Sequence, residues 1–210
     1  MPTRDLSANN TTLVNNSLVE VMKVPDNQQK VERLFNFMFE KGLSFYDEVV
    51  TQLDHALQAA ELAKKSNADN HLITSALLHD LGHLLLNEHN TQDTFLAEDL
   101  NHEEIGATSM APFFPPLVTE PIRLHVDAKR YLCTVDQDYY NSLSQASKNS
   151  FQVQGQYMST KEVKFFEKNV HFEAAVQVRR WDDLAKAKDV TVAPLNTYQT
   201  YVSQSLLSTS

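Results

Sequence analysis

The stretch SALLHDLGHLLLNEH, residues 75–89, sets His79 beside Asp80 among Leu77, Leu78, Leu81, Leu84 and Leu85, with His83 one helical turn further on. An imidazole next to a carboxylate in such apolar company needs a hydrogen-bond partner or a metal ion. Similar placements recur along the chain. His55 lies among Leu53, Leu57 and Ala59, His102 opens one helical pattern, His125 sits inside another, and Asp182 follows Trp181. A single such histidine is ordinarily a satisfied core residue. The set of four histidines and two aspartates, with no thiolate, is instead a nitrogen and oxygen donor set suited to iron, manganese or zinc, and unlike a cysteine-rich structural zinc site. Six ligands exceed what one ion takes when a position must stay open for chemistry, so they suit two ions. Asp80 is the natural bridge, because each of its two oxygens can reach one ion.

The elements that must position these groups read as helices. Only four glycines occur in 210 residues, and alternating apolar stretches are few. Asp26 caps a helix whose Val31, Leu34, Phe35, Met38 and Phe39 recur at helical spacing and which ends at Gly42. A second helix is expected from Asp47 to Lys65, and a third from Asn70 to His79. A fourth lies in NHEEIGATSM, stopped before PFFPP, and a fifth starts at TEP with Pro121 in its first turn. STKEVKFFEKN, capped by Ser159, HFEAAVQVRRWDDLAK and PLNTYQTYVSQSLL supply the rest. Trp181, Phe165 and Phe166 read as core, Gly106 as a close helix contact, and Gly155 with Gln156 as a turn bordering the substrate. The expectation is an all-α fold, with residues 1–24, rich in Asn, Ser and Thr, as a flexible extension and residues 25–205 as a single domain.

Composition bounds the partners. The formal charge of −9 and the lack of a basic run argue against nucleic acid. No apolar stretch is long enough to span a bilayer, the N-terminus has no hydrophobic centre, and Cys133 is the single cysteine. These features point to a cytoplasmic protein that engages neither membrane nor nucleic acid.

The order His55, His79-Asp80, Asp182 resembles the HD-domain superfamily, and His102 with His125 between them resembles its dinuclear branch. More narrowly, QLDHALQAA, ALLHDLGH, HEEIGA, HVDAKRYL, LSQAS and VRRWDD are similar to the HD-domain oxygenases that cleave carbon–phosphorus bonds, the PhnZ and TmpB type. The likeness runs from Glu32 to Tyr201. It implies an HD-domain helical bundle with a dinuclear metal site in its core. The metals would be two iron ions in the mixed-valent Fe(II)/Fe(III) state, with O2 as co-substrate. His55, His79, Asp80 and Asp182 would hold one iron, and Asp80, His102 and His125 the other. An upstream alpha-hydroxylating oxygenase would belong to the same pathway.

Donors stand one helical turn from three of these ligands. His79 and His83 are four apart, His125 and Lys129 four apart, and Arg179 and Asp182 three apart, so each pair shares a helix face. In an acidic chain their convergence would make a local pocket for a dianionic phosphoryl or phosphonyl group. The resemblance gives His83, Lys129, Ser147 and Arg179 that role. The plainer reading is a surface ion pair at Arg179 and Asp182, a solvated Lys129–Arg130 pair and a His83 that favours a helix C-terminus. Glu48, in the resemblance, meets a cationic amine on the substrate. The family has a tyrosine three residues before this glutamate as a lid over the open iron position. Here Phe45 holds that place and Tyr46 follows it.

Two reaction classes fit. One is oxidative cleavage of a 1-hydroxyalkylphosphonate, for which Glu48 favours 2-amino-1-hydroxyethylphosphonate, giving glycine and phosphate, with the trimethylammonio analogue and hydroxymethylphosphonate as close variants. The alternative is a metal-dependent HD phosphohydrolase acting on a phosphate ester or nucleotide. Polyol oxidation, known in another di-iron HD branch, is a weaker third.

Overall fold

Side-chain caps and apolar spacing account for where the helices begin and end in the computed structural model, which describes residues 18–44, 50–86 and 101–208. Residues 18–22 form α1, and α2 follows at Asn27–Lys41, where the Asp26 carboxylate accepts from the Gln29 amide at 2.8 Å. Thr51 caps α3 (Gln52–Lys65) by exchanging hydrogen bonds with Asp54. Asp69 caps α4 (Asn70–Leu78), and after His79 and Asp80 the chain resumes as α5 (Leu81–Leu86). Then come α6 (His102–Met110), α7 (Pro116–Val135), α8 (Gln137–Ser142), α9 (Gln145–Val153) and α10 (Thr160–Phe166). The chain closes with α11 (Phe172–Leu184), a 3-10 turn at Leu195–Tyr198 and α12 (Gln199–Ser205). The fold is all-α, with no extended strand among the described residues. Nor is any described helix long and apolar enough to cross a membrane.

Burial singles out two inner helices. Every residue from Ile73 to Leu78 in α4 is buried, and so is most of α3, which keeps only a narrow wet face at Asp54, Glu61 and Lys65. They pack on each other and on α11, and α7 lies against α4 and α11. α12 covers α4, while α6 closes against α7 and α5 packs on α6. Buried hydroxyls tie these layers: Ser75 donates to the Val118 carbonyl at 3.0 Å and Thr74 to Ser205 at 3.1 Å. Satisfying each hydroxyl removes a desolvation cost that would otherwise loosen the packing.

Several expectations shift. α7 starts at Pro116, five residues before the expected first-turn proline, because Pro116 itself takes the tolerated position and Pro121 falls inside the helix. Phe39 stands at the edge of the α2 stripe and is 57% exposed; Phe165 is 80% exposed, while Phe166 and Trp181 are buried. Residues 18–22, in the polar-rich N-terminal stretch, are helical here, and Leu18 and Met22 are fully buried in the main core. α5, α8 and α9 were not foreseen as separate helices. The expected start of the second helix at Asp47 lies outside the described residues.

Candidate metal centre and anion pocket

Four helices aim polar side chains at one point. His55 comes from α3, His79 from the end of α4, His125 from α7 and Asp182 from α11, while Asp80 and His102 enter from the α4–α5 break and the start of α6. All six are buried. The interruption at His79 and Asp80 turns the carboxylate inward beside the preceding imidazole, and His79 Nδ1 donates to the Ala76 carbonyl at 2.9 Å.

Asp80 has two differently occupied sides. Its Oδ2 lies 3.4 Å from His55 Nε2 and 3.3 Å from His79 Nε2, and Asp182 Oδ1 is 3.4 Å from the same His55 nitrogen. Its Oδ1 lies 3.5 Å from His102 Nε2, 3.6 Å from His125 Nε2 and 3.9 Å from His83 Nε2. Two triads, His55–His79–Asp80 and Asp80–His83–His102, each bring one donor atom per residue within 4.8 Å of the others.

The imidazole tautomers follow from the outer contacts. His55 Nδ1 faces the Ala185 carbonyl at 2.9 Å, and His125 Nδ1 faces that of Ile122 at 2.7 Å. A carbonyl only accepts, so Nδ1 carries the proton at His55, His79 and His125, and each Nε2 turns a lone pair inward. Yet His55 and His79 bring those lone pairs within 3.2 Å, and His102 and His125 their Nε2 atoms to the same distance. Asp80 Oδ2 and Asp182 Oδ1 are buried with no hydrogen-bond partner. Converging lone pairs and orphaned carboxylate oxygens fit a cation, and nitrogen with oxygen donors fits a divalent transition metal.

The electrostatics agree. Burial opposes ionisation of Asp80, but the imidazoles of His79, His83 and His55 outweigh it and hold the carboxyl well below its usual range. Burial likewise works against Asp182, and Arg179 and Lys186 reverse it. At His102 burial, reinforced by His83, drives the imidazole well below its ordinary value, and burial lowers His125 to about 4. Both imidazoles are therefore neutral at physiological pH. At His55 and His79 burial pulls down, but Asp80 and Asp182 prevail and raise both imidazoles, which is the pull two carboxylates exert on any cation at this point.

Donors crowd beside this cluster. Arg179 is buried; its Nη1 lies 2.7 Å from Asp182 Oδ2, while its Nε and Nη2 engage Asp183, and Nε also donates to Tyr139 Oη at 3.2 Å. Tyr139 Oη in turn donates to Asp183. Lys129 is buried and donates to Ser150 Oγ at 2.9 Å; burial, with Arg179 nearby, lowers its ammonium to about 7. Ser147 Oγ accepts from Ser144 Oγ and from Lys186 Nζ, both at 3.1 Å. His83 stacks on His102 with ring centroids 3.8 Å apart. Glu48, Phe45 and Tyr46 lie outside the described residues. Gly155 and Gln156 do form a turn, with φ of 99° and 59°, but it abuts Arg130, whose Nε donates to the Gln156 carbonyl.

Sequence reasoning missed Lys186, Asp183 and Tyr139. Asp183 is four residues after Arg179 and Lys186 four after Asp182, so helical spacing carried a signal for both; Tyr139 had none. Glycines bring the last ligand in. A Cβ on Gly82 would overlap the His102 carbonyl, and one on Gly106 would sit 3.1 Å from the Gly82 nitrogen. Two bare backbones thus let α6 lie on α5, which carries His102 to Asp80.

Comparison with known proteins places this geometry among relatives. The HD domain family matches residues 53–148. The chain is 54% identical over 178 residues to hydroxymethylphosphonate dioxygenase of Gimesia maris, covering 85% of this chain and 89% of that one. It is 40% identical over 148 residues to the glycine-betaine-forming [1-hydroxy-2-(trimethylamino)ethyl]phosphonate dioxygenase of Leisingera caerulea, covering 70% and 74%. An uncharacterized protein of Acanthamoeba polyphaga mimivirus is 32% identical over 208 residues, covering 96% and 92%.

Proposed function

Because the chain belongs to the PhnZ-like HD-domain oxygenases, we propose that it is a dioxygenase that cleaves the carbon–phosphorus bond of a 1-hydroxyalkylphosphonate. One observation carries the reading: the two oxygens of Asp80 face separate histidine pairs, beside buried lysine, arginine and serine donors. Two ions sharing a carboxylate suit oxygen chemistry, and the donors suit a phosphonate dianion. Residues 25–205 form the oxygenase domain in this reading.

His55, His79, Asp80 and Asp182 would hold one iron, and Asp80, His102 and His125 the other. The metals, when bound, supply the activation of O2. Lys129, Ser147, Arg179 and His83 bind and orient the phosphonate, so that its carbon and hydroxyl meet the centre rather than solvent. The His83 ring against His102 would place a donor at the edge of the second ion site. The overall balance consumes one O2 per substrate: hydroxymethylphosphonate gives formate and phosphate, and 2-amino-1-hydroxyethylphosphonate gives glycine and phosphate. The amine preference rests on Glu48. The relative with 54% identity makes hydroxymethylphosphonate the first compound to test. Its hydroxyl would be introduced upstream by an alpha-hydroxylating oxygenase.

The test is phosphate release by the iron-loaded protein from a panel of these hydroxyphosphonates, in air and under argon. Release in air with stoichiometric O2 uptake is expected. Equal rates under argon would replace the oxygenase with a hydrolase.

A further inference from the structure

The loop after α11 is bound to α3 at three points that bracket one lysine. The Ala185 carbonyl accepts from His55 Nδ1 at 2.9 Å. Gln58, buried on α3, holds Ala187 from both sides: its Nε2 donates to the Ala187 carbonyl and its Oε1 accepts from the Ala187 amide, each at 3.0 Å. A double amide clamp of this kind fixes backbone direction as a strand ladder would. Lys186 therefore leaves a rigid backbone between two anchored alanines. Its Nζ reaches Ser147 Oγ at 3.1 Å and stands 3.7 Å from Asp182 Oδ1.

Charge explains why such placement matters. Arg179 is already met by Asp182 and Asp183, so much of its charge is compensated within the protein. Ser147 Oγ accepts from both Ser144 and Lys186, which leaves its own hydroxyl hydrogen to donate outward. The lysine thus orients the serine and stands beside the same donors, with its side chain 15% exposed.

We propose that Lys186 is a further substrate-contacting residue that binds the phosphonate dianion together with Ser147, an assignment that rests on the phosphonate reading above. The Ala185–Ala187 anchors make this lysine pre-organised, so it binds without the ordering cost that a free surface lysine would meet.

Calorimetric titration of the metal-loaded full chain with methylphosphonate, and separately with inorganic phosphate, tests the assignment. Lys186→Met is expected to weaken both about tenfold or more, since a charge-assisted hydrogen bond is lost. Metal content and melting temperature should stay at wild-type values, and Lys186→Arg should recover much of the affinity. Unchanged methylphosphonate affinity in Lys186→Met, with Lys186→Gln as a second truncation, overturns the assignment. So does a parallel loss of metal, which would make the lysine a support for Asp182. Because methylphosphonate lacks the reacting hydroxyl, it reports binding alone. Wild-type protein that binds it but never releases phosphate from a hydroxyphosphonate would sink the dioxygenase reading and leave the lysine result standing; wild-type protein that binds neither anion sinks the lysine assignment.

Discussion

On one side of Asp80, the His55 and His79 Nε2 atoms face its Oδ2 and Asp182 Oδ1; on the other, the His102 and His125 Nε2 atoms face its Oδ1, with His83 nearby and Glu103 Oε2 3.4 Å from His102 Nδ1. The first side draws its residues from helices packed deep in the core, with both Nδ1 atoms on carbonyls and Asp182 braced by Arg179. The second is assembled by the close approach of α6 to α5, and Asn101 enters it through a left-handed turn at φ 53°. Electrostatics follow the same division. Two carboxylates raise His55 and His79, while burial lowers His102 and His125. The difference teaches a division of labour. The side with two carboxylates suits tight, lasting ion binding. In the proposed reading, the side with one shared oxygen would offer fewer protein ligands among the described residues, and so more room for substrate and O2.

The largest effect is expected where the sides meet. Asp80→Ala should strip both ions and reduce oxidative cleavage to background, with metal content read by elemental analysis; a variant retaining about two ions per chain would break the comparison at its root. His102→Ala should divide the sides, keeping about one ion per chain while O2-dependent phosphate release disappears. Equal metal loss from His102→Ala and His79→Ala would mean that the two halves do not differ.

Next in size is Gly82→Ala, whose Cβ would collide with the His102 backbone. Separating α5 from α6 should cost about 3 kcal/mol in denaturant unfolding and lower affinity at the second side more than at the first. Loss confined to the first side would show that the glycine contact does not build the second.

Asp183→Asn tests the bracing on the first side. It loosens Arg179 from behind and should lower metal affinity or turnover about 10–100-fold while the chain stays folded. Wild-type metal affinity and turnover together would remove Asp183 from any positioning role.

The smallest effect concerns pH. Burial lowers Lys129 to about 7, so its charge is present below that pH and is lost as pH rises through it. Apparent KM for the phosphonate should therefore rise from about pH 6 to about pH 8 beyond what the substrate's own ionisation dictates. Lys129→Arg, which keeps its charge, should flatten that rise. An identical profile in both proteins would remove Lys129 as its source.

How legible all this was depended on distance along the chain. Asp26, Ser159 and Gly42 marked helix ends that the structure keeps, because a cap is a contact within three or four residues. Arg179 with Asp182 was readable for the same reason. Phe165 was misjudged because two adjacent phenylalanines on a short helix face different ways, and composition cannot say which faces the core. Lys129 and Arg130 look alike in sequence, yet Lys129 is buried while Arg130 joins Asp127 and Glu162 near the surface.

Residue type and order by themselves determined the helical class and pointed to a nitrogen and oxygen donor set with Asp80 at its middle, because donor chemistry and helical period are local properties. Only the tertiary structure decided which histidines face which oxygen of Asp80, that Gly82 and Gly106 admit His102, that Tyr139 and Asp183 brace Arg179, and that Lys186 reaches Ser147. Those facts depend on helices far apart in sequence coming within a few ångströms, and the packing of the whole core sets that approach.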